Sequence, residues 1–86
     1  MTNFSRSIAI LARLYGLTYT HNPGGGEFSH PDGLRCQIHC QDDRRDFVRL
    51  LTWLRDNGAN VDQDALLLPG EQGTQLSLAI ADAGLA

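Results

Sequence analysis

Three short extended segments, separated by turn residues and enclosed by two amphipathic helical patterns, dominate this sequence. The segments are residues 17–21, 27–30 and 34–40, and polar and apolar side chains alternate along the last of them. The Pro-Asp-Gly sequence at 31–33 is a strong hairpin signal. The pattern predicts an α+β fold in α-β-β-β-α order, with an antiparallel three-stranded sheet, two helices on one face of it and a short C-terminal helix.

The first helical pattern covers residues 2–15, with Thr2 in the capping position and Gly16 after the last turn. The second covers residues 43–57, where Asp42 or Asp43 is the expected N-cap. Beyond Gly58 the pattern weakens, and we predict only a short last helix that Thr74 caps and that turns Leu76, Ala79, Ile80 and Ala83 inward. The predicted core comprises Phe4, Ile8, Leu11, Tyr19, Cys36, Ile38, Phe47, Leu50, Leu51 and Leu54.

Length and composition indicate one domain over residues 1–86, with an apolar share of 42% that is ordinary for a globular protein. No apolar run reaches the ~20 residues that a transmembrane helix needs. The first residues do not have the pattern of a secretory signal peptide. Two cysteines on one predicted strand are typical of a reducing compartment, so we expect a cytoplasmic protein.

Charge disfavours direct nucleic-acid binding. Seven basic residues face ten acidic ones, which gives a formal net charge of −3. Proteins that bind nucleic acids non-specifically usually carry a basic excess, because they neutralise phosphates. We therefore do not expect a nucleic acid as the partner, and because the sequence has no long apolar run, we do not expect a membrane either.

His30, Cys36, His39 and Cys40 are the candidate metal ligands. On a continuous strand, however, Cys36 and Cys40 point inward and His39 points outward. The two cysteines would lie ~13 Å apart along that strand, too far for a disulfide. We therefore predict structural thiols, no metal site and no cofactor.

No other motif in the sequence predicts a catalytic or ligand-binding site. The glycines at 24–26 lead into a strand rather than a helix, which favours a mobile hairpin loop over a phosphate-binding loop. The serines lie in no nucleophile motif, so the chain is expected not to be an enzyme. On the second helix, Arg45, Arg49 and Asp56 share a solvent side, either as a salt-bridged face or as a contact surface.

The sequences Gly-Leu-Thr-Tyr-x-His, Phe-Ser-His-Pro-Asp-Gly and Leu-Arg-Cys-Gln-Ile-His, followed by an amphipathic helix, resemble the HicA-type mRNA interferases over residues 6–58. That resemblance implies a double-stranded-RNA-binding-like fold. The family's catalytic histidine falls on Gly25 or Gly26 here, and its basic surface is missing. The resemblance thus implies the fold without the RNA-cleaving activity.

In its size and acidity the chain also resembles the small anti-CRISPR proteins of phages and mobile elements. That profile implies a non-enzymatic inhibitor, monomeric or homodimeric, in the cytoplasm of a bacterial host. Such an inhibitor blocks a host protein or ribonucleoprotein complex through an acidic surface. The alternatives are a diverged HicA-like RNA-binding or RNA-cleaving toxin, or a toxin–antitoxin regulatory partner. The predicted contact residues lie on the open sheet face and at the start of the second helix: Glu27, Arg35, His39, Asp42, Asp43, Asp46, Arg45 and Arg49.

Overall fold

The computed structural model describes residues 2–84 and confirms the predicted α+β order. One helix is followed by three strands and then by a second helix, and two further helices complete the described chain. The elements are α1 (Phe4–Leu14), β1 (Thr18–Asn22), β2 (Gly25–Ser29), β3 (Arg35–Ile38), α2 (Asp43–Asp56), α3 (Val61–Ala65) and α4 (Gln72–Asp82). Within these residues no helix is both long and apolar enough to cross a bilayer.

The strands form an antiparallel sheet in the order β1-β2-β3, so β1 and β3 are its edges. In its register, Thr20 lies opposite Glu27, and Glu27 lies opposite Gln37. None of these three side chains is buried, whereas Phe28 and Cys36 of the other face are. The prediction of one open sheet face is therefore confirmed.

The core lies mainly among the helices. Helix α2 contacts β3, while α1 packs against α2 and α4, and α3 packs against α4. The buried apolar side chains include Leu11, Phe28, Cys36, Ile38, Phe47, Leu50, Leu51, Leu54, Val61, Leu76 and Ile80. Ala79 and Ala83 are buried beside them, which confirms the predicted inner face of the last helix.

Hydrogen bonds between distant segments fix the helices to one another. Tyr15 Oη donates to Asp64 Oδ2 at 2.7 Å and joins the end of α1 to α3. Gln75 Nε2 donates to Ser7 Oγ at 3.1 Å and joins α4 to α1. Because residues in these pairs are far apart in sequence, the contacts form only when the helices are assembled.

The N-caps of α1 and α4 differ from the predicted ones. Asn3, not Thr2, caps α1, because its side-chain oxygen accepts the Arg6 amide proton at 2.9 Å. Thr74 lies inside α4, which begins at Gln72 and has no side-chain cap. Of the two N-caps predicted for α2, Asp42 is the one observed, since its carboxylate accepts the amide protons of Arg44 and Arg45, and Asp43 is the first residue of the helix.

The glycine-rich segment is not a mobile loop. Pro23 and Gly24 form the turn, and Gly25 and Gly26 are buried members of β2. A Cβ on Gly25 would collide with the carbonyl oxygen of Ile38, at a φ of 142° that disfavours other residues. The glycines therefore permit close strand packing.

Two side chains predicted to face inward are exposed. Strand β3 ends at Ile38, and Cys40 lies beyond it with a left-handed φ of 60°. Tyr19 is on the inner face of the sheet but is 44% exposed, so it does not belong to the predicted core. Phe4 and Ile8, also predicted as core, are only partly buried and pack against the core from its edge.

Candidate functional site: a groove between α2 and β3

A groove of about 570 Å³ runs between β3 and the outer side of α2. Strand β3 and the residue after it contribute Arg35, Gln37 and His39 to this groove. Helix α2 contributes Arg45, Arg49 and Trp53, which recur every four residues and so lie on one side of the helix. Five predicted contact residues are therefore brought together here: Arg35, His39, Arg45, Asp46 and Arg49. We call this feature the α2–β3 groove.

Basic side chains outnumber acidic ones in the groove, because four of the chain's seven arginines line it together with Asp46 and Asp56. Arg35 Nε is paired with Glu27 Oε1 at 3.4 Å, and Arg44 Nη2 donates to the Ala83 carbonyl at 3.1 Å. Arg45 and Arg49 are exposed, and neither forms an ion pair with any residue between 2 and 84. These two guanidinium groups are thus available to an anionic ligand.

The groove also has an apolar component. Half-buried Val48 and Trp53 line it from α2, and Cys36 lines it from β3. Burial raises the pKa of the Cys36 thiol, so this cysteine is a neutral apolar group. A ligand that combines negative charge with apolar side chains matches this lining.

Asp46 does not form part of an acidic surface, contrary to prediction. Its side chain is buried, at 3% exposure. Its two carboxylate oxygens accept the amide protons of His39 at 3.2 Å and Cys40 at 3.0 Å. Reversal of this charge therefore tests the stability of the fold rather than a contact surface.

The remaining predicted acidic residues do not make a free carboxylate rim either. Glu27 is engaged with Arg35, and Asp42 is engaged as the cap of α2. Asp43 is exposed but lines a different groove, on the α1 side. Of the predicted acidic contact residues, the structure therefore contradicts the exposure of Asp46 alone, and an acidic contact surface formed by the others stays a prediction.

The second groove, of about 760 Å³, lies between α1 and the inner sheet face. Ile8, Ala12 and Phe28 give it an apolar lining. At its edge, Tyr19 Oη lies 3.2 Å from Cys40 Sγ and 3.0 Å from His21 Nδ1. The hydrogen bond with Cys40 raises the pKa of Tyr19, which keeps the phenol protonated.

The three histidines occupy separate places. His21 contacts Tyr19, His30 Nδ1 lies 3.3 Å from Asp32 Oδ2 in the hairpin turn, and His39 lies in the α2–β3 groove. In the part of the chain that the structure describes, no three side chains of His, Cys, Asp or Glu are grouped to hold a metal ion.

No protein-family model matches this chain, and no curated protein or solved structure matches it. The resemblance to HicA-type interferases and that to anti-CRISPR proteins therefore stay predictions. The positions where the HicA family has its catalytic histidine, Gly25 and Gly26, are buried in β2.

Sequence reasoning missed Trp53 and Val48 as groove residues. The spacing of Trp53 from Arg45 and Arg49 was the available signal, because residues four apart share a helix side. No short-range sequence pattern indicated that β3 lies beside this side of α2, because that position depends on how α2 packs against the sheet.

Proposed function

We propose that this protein is a small non-enzymatic binding protein that holds an acidic segment of a partner protein in the α2–β3 groove and inhibits the partner by occupying that segment. The observation that carries this proposal is the pair of exposed guanidinium groups of Arg45 and Arg49, which form no ion pair with any of residues 2–84 and lie beside the half-buried Trp53. Arginine binds carboxylates through two parallel hydrogen bonds, and a nearby indole contributes apolar contact area.

Overall charge favours a short acidic segment over a long nucleic acid. The net charge is −3, and the exposed carboxylates of Asp43 and Asp56 lie near the two ends of α2. A polyanion longer than the groove is repelled by this surrounding charge, whereas a short segment placed at Arg45 and Arg49 meets mainly the arginines that line the groove. Whether the partner belongs to a host defence complex, as the sequence profile implies, stays a prediction.

Binding of a fluorescent acidic peptide tests the proposal. The probe is a short synthetic peptide of glutamates and leucines, and its fluorescence anisotropy is measured against protein concentration. We expect saturable binding that weakens as salt rises, because exposed charges are screened. The double variant Arg45→Glu/Arg49→Glu is expected to lose at least ~100-fold in affinity, corresponding to about 2.7 kcal/mol.

The matched control is Arg6→Glu/Arg13→Glu, which makes the same charge change on α1, away from the groove. Both of these arginines are exposed. If the control variant loses as much affinity as the groove variant, binding reflects net charge alone and the proposed site is wrong. Absence of any saturable binding to the wild-type protein overturns the proposed function.

A diverged RNA-binding protein is the second candidate, because the same two guanidinium groups suit phosphates. It predicts that a single-stranded RNA of equal charge binds in the same assay more tightly than the peptide, and that Arg45→Glu/Arg49→Glu abolishes RNA binding. The acidic-peptide proposal predicts the opposite order of affinity.

A further inference from the structure

We propose that the acidic segment binds as an additional β-strand on the free edge of β3, with its alternate side chains pointing at α2. This inference rests on the proposed function, since it specifies how the α2–β3 groove holds its ligand. Strand addition to an exposed sheet edge is a general mode of peptide recognition, in which main-chain hydrogen bonds give affinity and flanking side chains give specificity.

The hydrogen-bond pattern of the sheet leaves this edge open. His30 donates its amide proton to the Leu34 carbonyl at 2.8 Å, so this pair is of the hydrogen-bonded type. In an antiparallel ladder that type recurs at every second pair. Arg35 and Gln37, which lie opposite Ser29 and Glu27, therefore direct their amide and carbonyl groups away from β2.

Those groups have no backbone partner in another element among the residues that the structure describes. The next outward amide, that of His39, already donates to Asp46 Oδ1 at 3.2 Å. The open stretch of this edge thus runs from Arg35 to Gln37. It ends at His39, whose amide is bound by Asp46 of α2. Because both ends of the open stretch are defined, the register of an added strand is restricted.

The side of α2 that faces this edge matches the repeat of an extended peptide. Arg45, Arg49 and Trp53 are spaced four residues apart, which is ~6 Å of helix axis per step. Alternate side chains of a β-strand are ~6.7 Å apart. Successive inward side chains of an added strand can therefore contact Arg45, Arg49 and Trp53 in turn.

Charge complementarity defines the occupant. Two alternate positions of the segment carry acidic residues, which pair with Arg45 and Arg49. The next alternate position carries a large apolar residue, which packs against the indole of Trp53. The intervening side chains point to the open sheet face, where Arg35 and Gln37 are exposed. Extended conformation is required throughout, so proline is excluded at positions whose amides pair with β3.

Hydrogen exchange of backbone amides, followed by NMR on the whole chain, tests this mode. The probe is a peptide with glutamate at two alternate positions, leucine at the next and threonine between them. At saturation we expect the amides of Arg35 and Gln37 to exchange at least ~10-fold more slowly than in the free protein. Exposed amides of β1, the opposite edge, should show no change and serve as the internal control.

A second arm uses the same peptide with N-methyl groups on the backbone nitrogens that face β3. The side chains and charge are unchanged, so only the main-chain pairing is lost, and affinity is expected to fall at least ~10-fold. Methylation of the opposite-facing nitrogens is the matched control and is expected to have little effect.

The outcomes separate this inference from the proposed function. If the peptide binds in an Arg45- and Arg49-dependent way, but the Arg35 and Gln37 amides stay unprotected and N-methylation has no effect, strand addition is wrong and the proposed function stands. Protection of β1 amides instead places the added strand on the other edge and also overturns the inference. If the peptide does not bind at all, both proposals fall.

Discussion

The buried carboxylate of Asp46 accepts the amide proton of Cys40 at 3.0 Å and thereby holds the chain where it passes from β3 into α2. Cys40 has a left-handed φ of 60°, a conformation that residues other than glycine adopt at a cost. The hydrogen bond compensates for part of that cost. It also fixes the angle between β3 and α2, on which the geometry of the α2–β3 groove depends.

Replacement of Asp46 by Ala is expected to lower the free energy of unfolding by about 1–3 kcal/mol, because two amides lose their acceptor. Asp46→Asn retains one carbonyl oxygen and should lose less. Urea denaturation followed by circular dichroism measures both values. If Asp46→Ala unfolds at the same midpoint as the wild type, the two hydrogen bonds do not stabilise the fold.

Leu51, which is fully buried on the inner face of α2, provides a test of the core. Leu51→Ala removes buried apolar groups and leaves a cavity, so we expect a loss of about 2–5 kcal/mol. The matched control is Leu66→Ala, because Leu66 is 81% exposed and its change should stay within about 0.5 kcal/mol. Equal effects in thermal denaturation would contradict the assigned face of α2.

Gly25→Ala is expected to destabilise the sheet strongly or prevent folding. Its new Cβ would meet the Ile38 carbonyl, and the φ of 142° is unfavourable for alanine. Gly24→Ala is the control, since the nearest atom to a Cβ there is 3.7 Å away in the Asn22 side chain. Comparable expression and melting temperature of the two variants would argue against the packing of β2 on β3.

The hydrogen bond from Tyr15 to Asp64 predicts a pH dependence. The pKa of Tyr15 is raised mainly because the phenol is partly buried. The hydrogen bond with Asp64 and the charges of the nearby carboxylates raise it further. In the unfolded chain the pKa of a tyrosine is ~10. Because the folded state holds the phenol proton more tightly, the stability that this group contributes is fully present below pH ~10 and declines as the pH rises above that value.

Tyr15→Phe should therefore cost about 1 kcal/mol at neutral pH and make stability fall less steeply above pH ~10. Denaturant midpoints measured from neutral to alkaline pH give both quantities. An unchanged alkaline slope in the variant would show that the Tyr15 phenol is not the responsible group.

The order of elements and the inner face of α2 could be predicted because they depend on local periodicity and turn residues. Leu50, Leu51 and Leu54 follow helical spacing, and the hairpin after His30 contains its own turn signal. Helix α3 was not predicted, because five residues from Val61 to Ala65 are too few for a periodic pattern.

The errors concern properties that only tertiary packing decides. Alternation correctly placed Tyr19 on the inner sheet face, but it could not show that α1 leaves that part of the sheet uncovered. Asp46 had the polar character of a surface residue, and its burial depends on two amides of the preceding segment. The α2–β3 groove likewise could not be predicted, since its walls come from elements whose relative position is not encoded locally.

We propose the α2–β3 groove as the contact surface of this protein. Amide NMR spectra recorded during titration with the short glutamate–leucine peptide test it most directly, because every backbone position reports at once. The account predicts concentration-dependent shifts at Arg35, Gln37 and His39 and along α2 from Arg45 to Trp53, with α1 unchanged. Shifts centred on Tyr19 and α1, or no shifts at saturating peptide, would contradict it.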